Sequence, residues 1–72
     1  MARRFSGRRL CEHRTARNLR HEHLGASLNR SANTLRRYEH GEIQPPADVV
    51  GALADALDVP VDALYVDEGA ST

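Results

Sequence analysis

Within residues 31–40, SANTLRRYEH, hydroxyls, an amide, two guanidinium groups, a carboxylate and an imidazole crowd together, and GEIQPP follows directly. These groups suit recognition by hydrogen bonding better than they suit bond making. An asparagine amide donates and accepts along one edge, and the planar arginine fork donates two parallel bonds, which matches phosphates and base edges. The rest of the chain offers little for catalysis. His21 and His23 are two apart on an expected helix, so they point away from each other and make a poor metal clamp, and Cys11 is the only cysteine. No Ser-His-acid arrangement or Gly-rich phosphate loop is present. The residues therefore predict no enzyme, no metal and no cofactor.

Presenting such a segment requires elements around it. The chain has 72 residues and only Phe5, Tyr38 and Tyr65 as aromatics. Its apolar content is mostly Ala, Leu and Val, which predicts one small all-α bundle of five short helices with no sheet. The first helix is expected from about Ser6 to Arg17. Asn18 can take the left-handed conformation that ends it, and a second helix is expected from Leu19 to Leu28, closed by Asn29. Ser31 is a candidate N-cap, its hydroxyl placed to accept from the amide of Asn33 or Thr34, so a third helix starts at Ala32. Leu35 and Tyr38 then face inward, Ala32, Asn33, Arg36 and Arg37 face outward, and Gly41 supplies the stop after His40. Pro45 and Pro46 pre-set a fourth helix with an apolar stripe of Ala47, Val50, Leu53, Ala54 and Leu57 and with Asp48 in its first turn. A fifth helical turn is expected from Pro60 to Val66. The predicted core is Leu10, Leu24, Leu28, Leu35, Tyr38, Val50, Leu53, Leu57, Val61 and Leu64. Residues 1–5 form a basic N-terminal arm, residues 6–66 the folded domain and residues 67–72 a flexible acidic tail.

A formal net charge of zero conceals a division of charge. Residues 1–40 carry all ten arginines against Glu12, Glu22 and Glu39, a formal +7, whereas residues 41–72 carry seven acidic residues and no basic one. Such a dipole fits an anionic polymer on one side and leaves the acidic half as a solvated face, a dimer surface or a docking surface for another protein. The lone thiol fits a reducing cytoplasm, and no segment reads as a signal peptide or membrane span.

Two short helices joined by a brief turn, the second capped by serine and presenting Asn and Arg outward, make the helix-turn-helix pattern. The stretches LGASLNRSANTLRRYEHGEIQPP and VVGALADALDVPVDAL, together spanning about Leu10 to Leu64, resemble the phage repressor and Cro type (XRE type) of helix-turn-helix DNA-binding domain. The resemblance implies a lambda-repressor-like fold. Six positions depart from the family's pattern. Gly25 stands where the family has Ala, and Asn29 stands at its turn Gly. Arg30 takes a usually apolar position, so either its stem packs with its head reaching water or the turn differs locally. Arg20 and His21 replace a Ser-Gln start of the second helix, and His13, at a usual Leu position, reads as a partly buried histidine.

The resemblance implies a buried structural salt bridge between Arg14 and Glu39 that fixes the third helix against the first. It also implies a third helix, at about residues 32–39, lying in the major groove. Ala32, Asn33, Arg36 and Arg37 are the candidate base contacts: Asn for adenine, Arg for guanine, Ala for a thymine methyl, with Arg36 equally placed for phosphate. Arg17, Arg20, His21, Ser31, His40 and Gln44 are candidate DNA backbone contacts, and Arg3 and Arg4 belong either to an arm over an adjacent groove or to a solvated tail. The expected function is a sequence-specific DNA-binding transcriptional regulator. It would be cytoplasmic and nucleoid-associated in a bacterium or phage, a repressor or the antitoxin of a toxin pair, with double-stranded DNA as partner, a homodimer on a palindromic site, and no membrane. The alternative is a protein-interaction adaptor that uses the bundle without DNA.

Overall fold

Local capping chemistry sets most of the helix boundaries in a computed structural model that describes residues 3–67; the expectations for residues 1, 2 and 68–72 lie outside that range. Helix α1 is Gly7–Ala16, and the Ser6 hydroxyl accepts from the Arg9 amide at 3.1 Å. It ends where Asn18 turns left-handed, at φ 56°, and the Leu19 amide returns to the Arg14 carbonyl. Helix α2 is His21–Leu28, two residues shorter at its start than expected, because Arg20 is extended and caps nothing with its side chain. Asn29, at φ 59°, closes it. Helix α3 is Ala32–Glu39, with the Ser31 hydroxyl accepting from the Thr34 amide at 3.1 Å. Helix α4, Ala47–Leu57, follows the two prolines and is ended by Asp58 at φ 57°.

The expected all-α bundle of five helices is corrected beyond this point. Val61–Leu64 forms one turn of 3-10 helix, and the chain then becomes a strand, β2 (Tyr65–Asp67), paired antiparallel with β1 (Arg3–Phe5) in the register Arg3 to Asp67, Arg4 to Val66 and Phe5 to Tyr65. The segment after Pro60 is too short to propagate a helix alone, and its Tyr-Val pair suits an extended backbone once a partner strand is present. Charge and aromatic contacts tie the ribbon: Arg3 meets Asp62 at 2.9 Å and Asp67 at 3.6 Å and lies over the Tyr65 ring, which meets Phe5 edge-on. Arg3 and Arg4, expected in a basic arm, are thus in a strand, and Asp67, expected in the tail, pairs with it.

The core joins all the helices: Phe5, Leu10, Leu24, Leu35, Tyr38, Val49, Val50, Leu53, Ala54, Leu57 and Leu64 are buried. Two expected members differ. Leu28 is only half-buried at the end of α2, and Val61 is 42% exposed because the 3-10 turn aims Leu64 inward but leaves Val61 outside. Phe5, absent from the predicted core, enters it from β1, and Val49 widens the α4 stripe.

The joint between α2 and α3 is tight. A Cβ on Gly25 would come within 2.5 Å of the Arg30 carbonyl oxygen, so the alanine of the resembling family does not fit this backbone. Arg30 itself is exposed, and its guanidinium donates to the carbonyls of Leu28 at 3.3 Å and Asn29 at 3.4 Å, at the negative end of α2.

Gly25→Ala should therefore lower stability by about 1–3 kcal/mol despite alanine's better helix propensity. Gly51→Ala, at a helical position with nothing within 4 Å of its new methyl, should raise it by about 0.5–1 kcal/mol. Thermal melts of the two variants give the comparison; an unchanged Gly25→Ala would mean a looser turn.

Candidate nucleic-acid interface

Helix α3 is anchored at its C-terminal end. Tyr38 and Leu35 face the core, and Glu39 turns into the junction with α1 and α2. There Arg14 of α1 donates from Nε to Glu39 Oε2 at 2.6 Å and from Nη2 to Oε1 at 3.4 Å, and its Nη1 donates to the Leu19 carbonyl at 2.8 Å. The two side chains are only 11% and 7% exposed. His21, the first residue of α2, places Nε2 3.0 Å from Glu39 Oε1. The expectation set His21 among the DNA backbone candidates; the structure gives one ring nitrogen to Glu39. The demand of a buried carboxylate for more donors than one guanidinium supplies was the available signal for that contact.

Charge follows this geometry. Burial alone would raise the Glu39 carboxyl, but the hydrogen bonds from Arg14 and His21 and their charges outweigh it and hold the group below its ordinary value. The same bond to Glu39 raises the Arg14 guanidinium against the opposing effect of burial.

The expected contact residues fall into distinct settings. On α3, Asn33, Arg36 and Arg37 are exposed and Ala32 is half-buried. The Ser31 hydroxyl is occupied by its cap and by Thr34 Oγ1 at 3.0 Å. His40 is the C-cap of α3, and Gln44 is exposed in the loop beyond. Arg20 precedes His21 and so lies beside the anchored end of α3, and among the described residues neither its side chain nor that of Arg36 meets a carboxylate. Arg37 is paired with Glu42, and Arg17 reaches Asp58 only at 3.9 Å, a solvated contact of little energetic weight. His13 is half-buried. Among the described residues no group of three His, Cys, Asp or Glu side chains could hold a metal ion, and no helix is long and apolar enough to cross a membrane.

A family model described as a helix-turn-helix domain matches residues 7–64, which takes in α1 through the 3-10 turn. No curated protein and no solved structure gives a match.

Arg14→Ala or Glu39→Ala should cost about 3–5 kcal/mol at neutral pH, since each leaves a desolvated partner behind. Glu39 stays ionised in the folded state at pH values where the unfolded carboxyl, at 4.5, takes up a proton. Its contribution is complete above that value and drains away as the pH falls through the lower folded-state value. The stability gap between wild type and Glu39→Gln should accordingly narrow below pH 4.5. Denaturant melts from pH 7 to pH 3 measure it, and a loss of only a few tenths at neutral pH would show the carboxylate to be solvated.

Proposed function

Since the chain belongs to the helix-turn-helix domain family, we propose that it is a sequence-specific DNA-binding transcriptional regulator that reads the major groove with α3. The supporting observation is the pairing of a rigid anchor with an open face: Glu39 is locked into the α1 and α2 junction while Asn33, Arg36 and Arg37 of the same helix remain exposed. An α-helix fits the major groove, where Asn can pair with adenine N6 and N7 and Arg with guanine O6 and N7. Ala32 meets a thymine methyl at the start of the helix. Arg17, Arg20, Ser31, His40 and Gln44 serve the phosphates on either side, and His21 joins them with the ring nitrogen that Glu39 does not use. A homodimer would bind a palindromic site with its two α3 helices about 34 Å apart, one turn of DNA.

Two substitutions separate reading from holding. Arg37→Ala should cost about 1–3 kcal/mol on a selected site and relax preference at one base pair. Arg20→Ala should weaken selected and random duplex alike and make the salt dependence shallower by about one unit per contact removed. Gel shifts across a salt series measure both. No binding to duplex even at low salt would instead favour the adaptor reading.

A further inference from the structure

The end of α3 carries a charge pair that stability does not explain. Past the C-cap His40, Gly41 takes φ 75°, its amide returns to the Tyr38 carbonyl at 3.3 Å, and the Glu42 amide returns to the Arg37 carbonyl at 3.0 Å. This is the six-to-one and five-to-two bonding of a Schellman cap, which folds the residue after the glycine back over the one five positions earlier. An apolar contact commonly fills that place. Here it is filled by Glu42 Oε1, 3.4 Å from Arg37 Nε. Both side chains are about half exposed, 49% and 57%, so the pair adds little to folding.

Its effect falls on the arginine. The nearest approach of the carboxylate is to Nε, a charge contact without a hydrogen bond, and among the described residues Nη1 and Nη2 make no hydrogen bond. The carboxylate thus attracts the guanidinium toward the loop by charge, while its end, two parallel donors, makes no hydrogen bond within the described residues. That end matches the O6 and N7 acceptors of guanine. A carboxylate in the loop also opposes an approaching phosphate, which disfavours the nonspecific use of Arg37 and costs affinity for duplex of any sequence.

We infer that Glu42 is a positioning residue that makes Arg37 a reader of guanine, so that the preferred site of this protein contains a guanine at one fixed position per subunit whose selection depends on Glu42. This rests on the DNA-binding reading above. Glu42 touches no base; it acts by presenting the arginine fork end-on.

The test is selection of duplex sites from a random library by the full chain, followed by binding titrations at one salt concentration on the selected site, on the site with that guanine replaced, and on random duplex. Wild type should select the guanine, and Arg37→Ala should lose it. Glu42→Ala should reduce the preference by about fivefold or more. The same substitution should tighten binding to random duplex, a response that a merely structural role would not give. Glu42→Gln, which keeps an acceptor oxygen without the charge, should retain part of the preference. Adding Glu42→Ala to Arg37→Ala should leave base preference unchanged. The inference is overturned if wild type selects a site but Glu42→Ala keeps the full guanine preference, if Glu42→Ala alters preference equally with Arg37 already removed, or if Arg37→Ala changes no base preference. Failure of wild type to bind or select any duplex would overturn the proposed function together with it. Melting curves should place every variant within a few tenths of a kcal/mol of wild type, equivalent to less than a twofold change in the folding equilibrium.

Discussion

A carboxylate kept charged inside a junction of three helices is the constraint around which this small domain is arranged. Removing Glu39 from water costs several kcal/mol unless its oxygens are filled, and they are filled by groups from both other helices, Arg14 from α1 and His21 from α2. Arg14 further binds the carbonyl of Leu19, so the turn between α1 and α2 is held by the same guanidinium. With few residues available for a core, these directional bonds supply what apolar packing alone specifies poorly, a single orientation of α3 relative to the rest. The outward aim of Asn33 and Arg36 follows from the inward fixing of Glu39, because one helix carries both.

The turn before α3 obeys a complementary constraint of space. Asn29 accepts the left-handed conformation, Gly25 lets the Arg30 carbonyl approach, and the Arg30 side chain settles on the carbonyls at the end of α2. Glycine at 25 and arginine at 30 are therefore matched: the one permits a close turn and the other uses the carbonyls that the turn leaves at the surface. The division of charge has a similar logic. Arg3 and Arg17 are met by Asp62, Asp67 and Asp58 from the acidic half, whereas Arg20 and Arg36, beside and on α3, are not met by any described carboxylate.

What could be read from the sequence was governed by the range of the interaction responsible. Ser31 capping Thr34, the left-handed Asn18 and Asn29, Gly41 beyond α3 and the apolar face of α4 are dictated by neighbours a few residues away, and their positions follow from residue type alone. The union of Arg14 with Glu39 spans 25 positions and was legible only through resemblance to a family. The bond from His21 to the same carboxylate was missed because Arg14 seemed to satisfy it. The ribbon was missed for a related reason: strands of three residues have no periodicity to detect, and Arg-Arg-Phe becomes a strand only when Tyr-Val-Asp, some sixty positions later, is brought beside it. Val61, apolar and well spaced, was assigned to the core by a helical period that a 3-10 turn does not keep.

That ribbon also bears on the order in which the domain assembles. The α2 and α3 contacts close short loops and can form early, whereas pairing Arg3 with Asp67 and bonding the Ser6 amide to the Leu64 carbonyl at 2.8 Å close nearly the whole chain into one loop. Loop closure of that span carries the largest entropic cost in the molecule and is recovered only after α4 and the 3-10 turn have carried Leu64 into place. By that cost alone the two strands should form last and fray first, and because Phe5 is the core residue they bring, fraying would expose the apolar interior beside it. The loop-closure cost thus separates a locally determined pair of helices, α2 and α3, from a clasp of two distant strands.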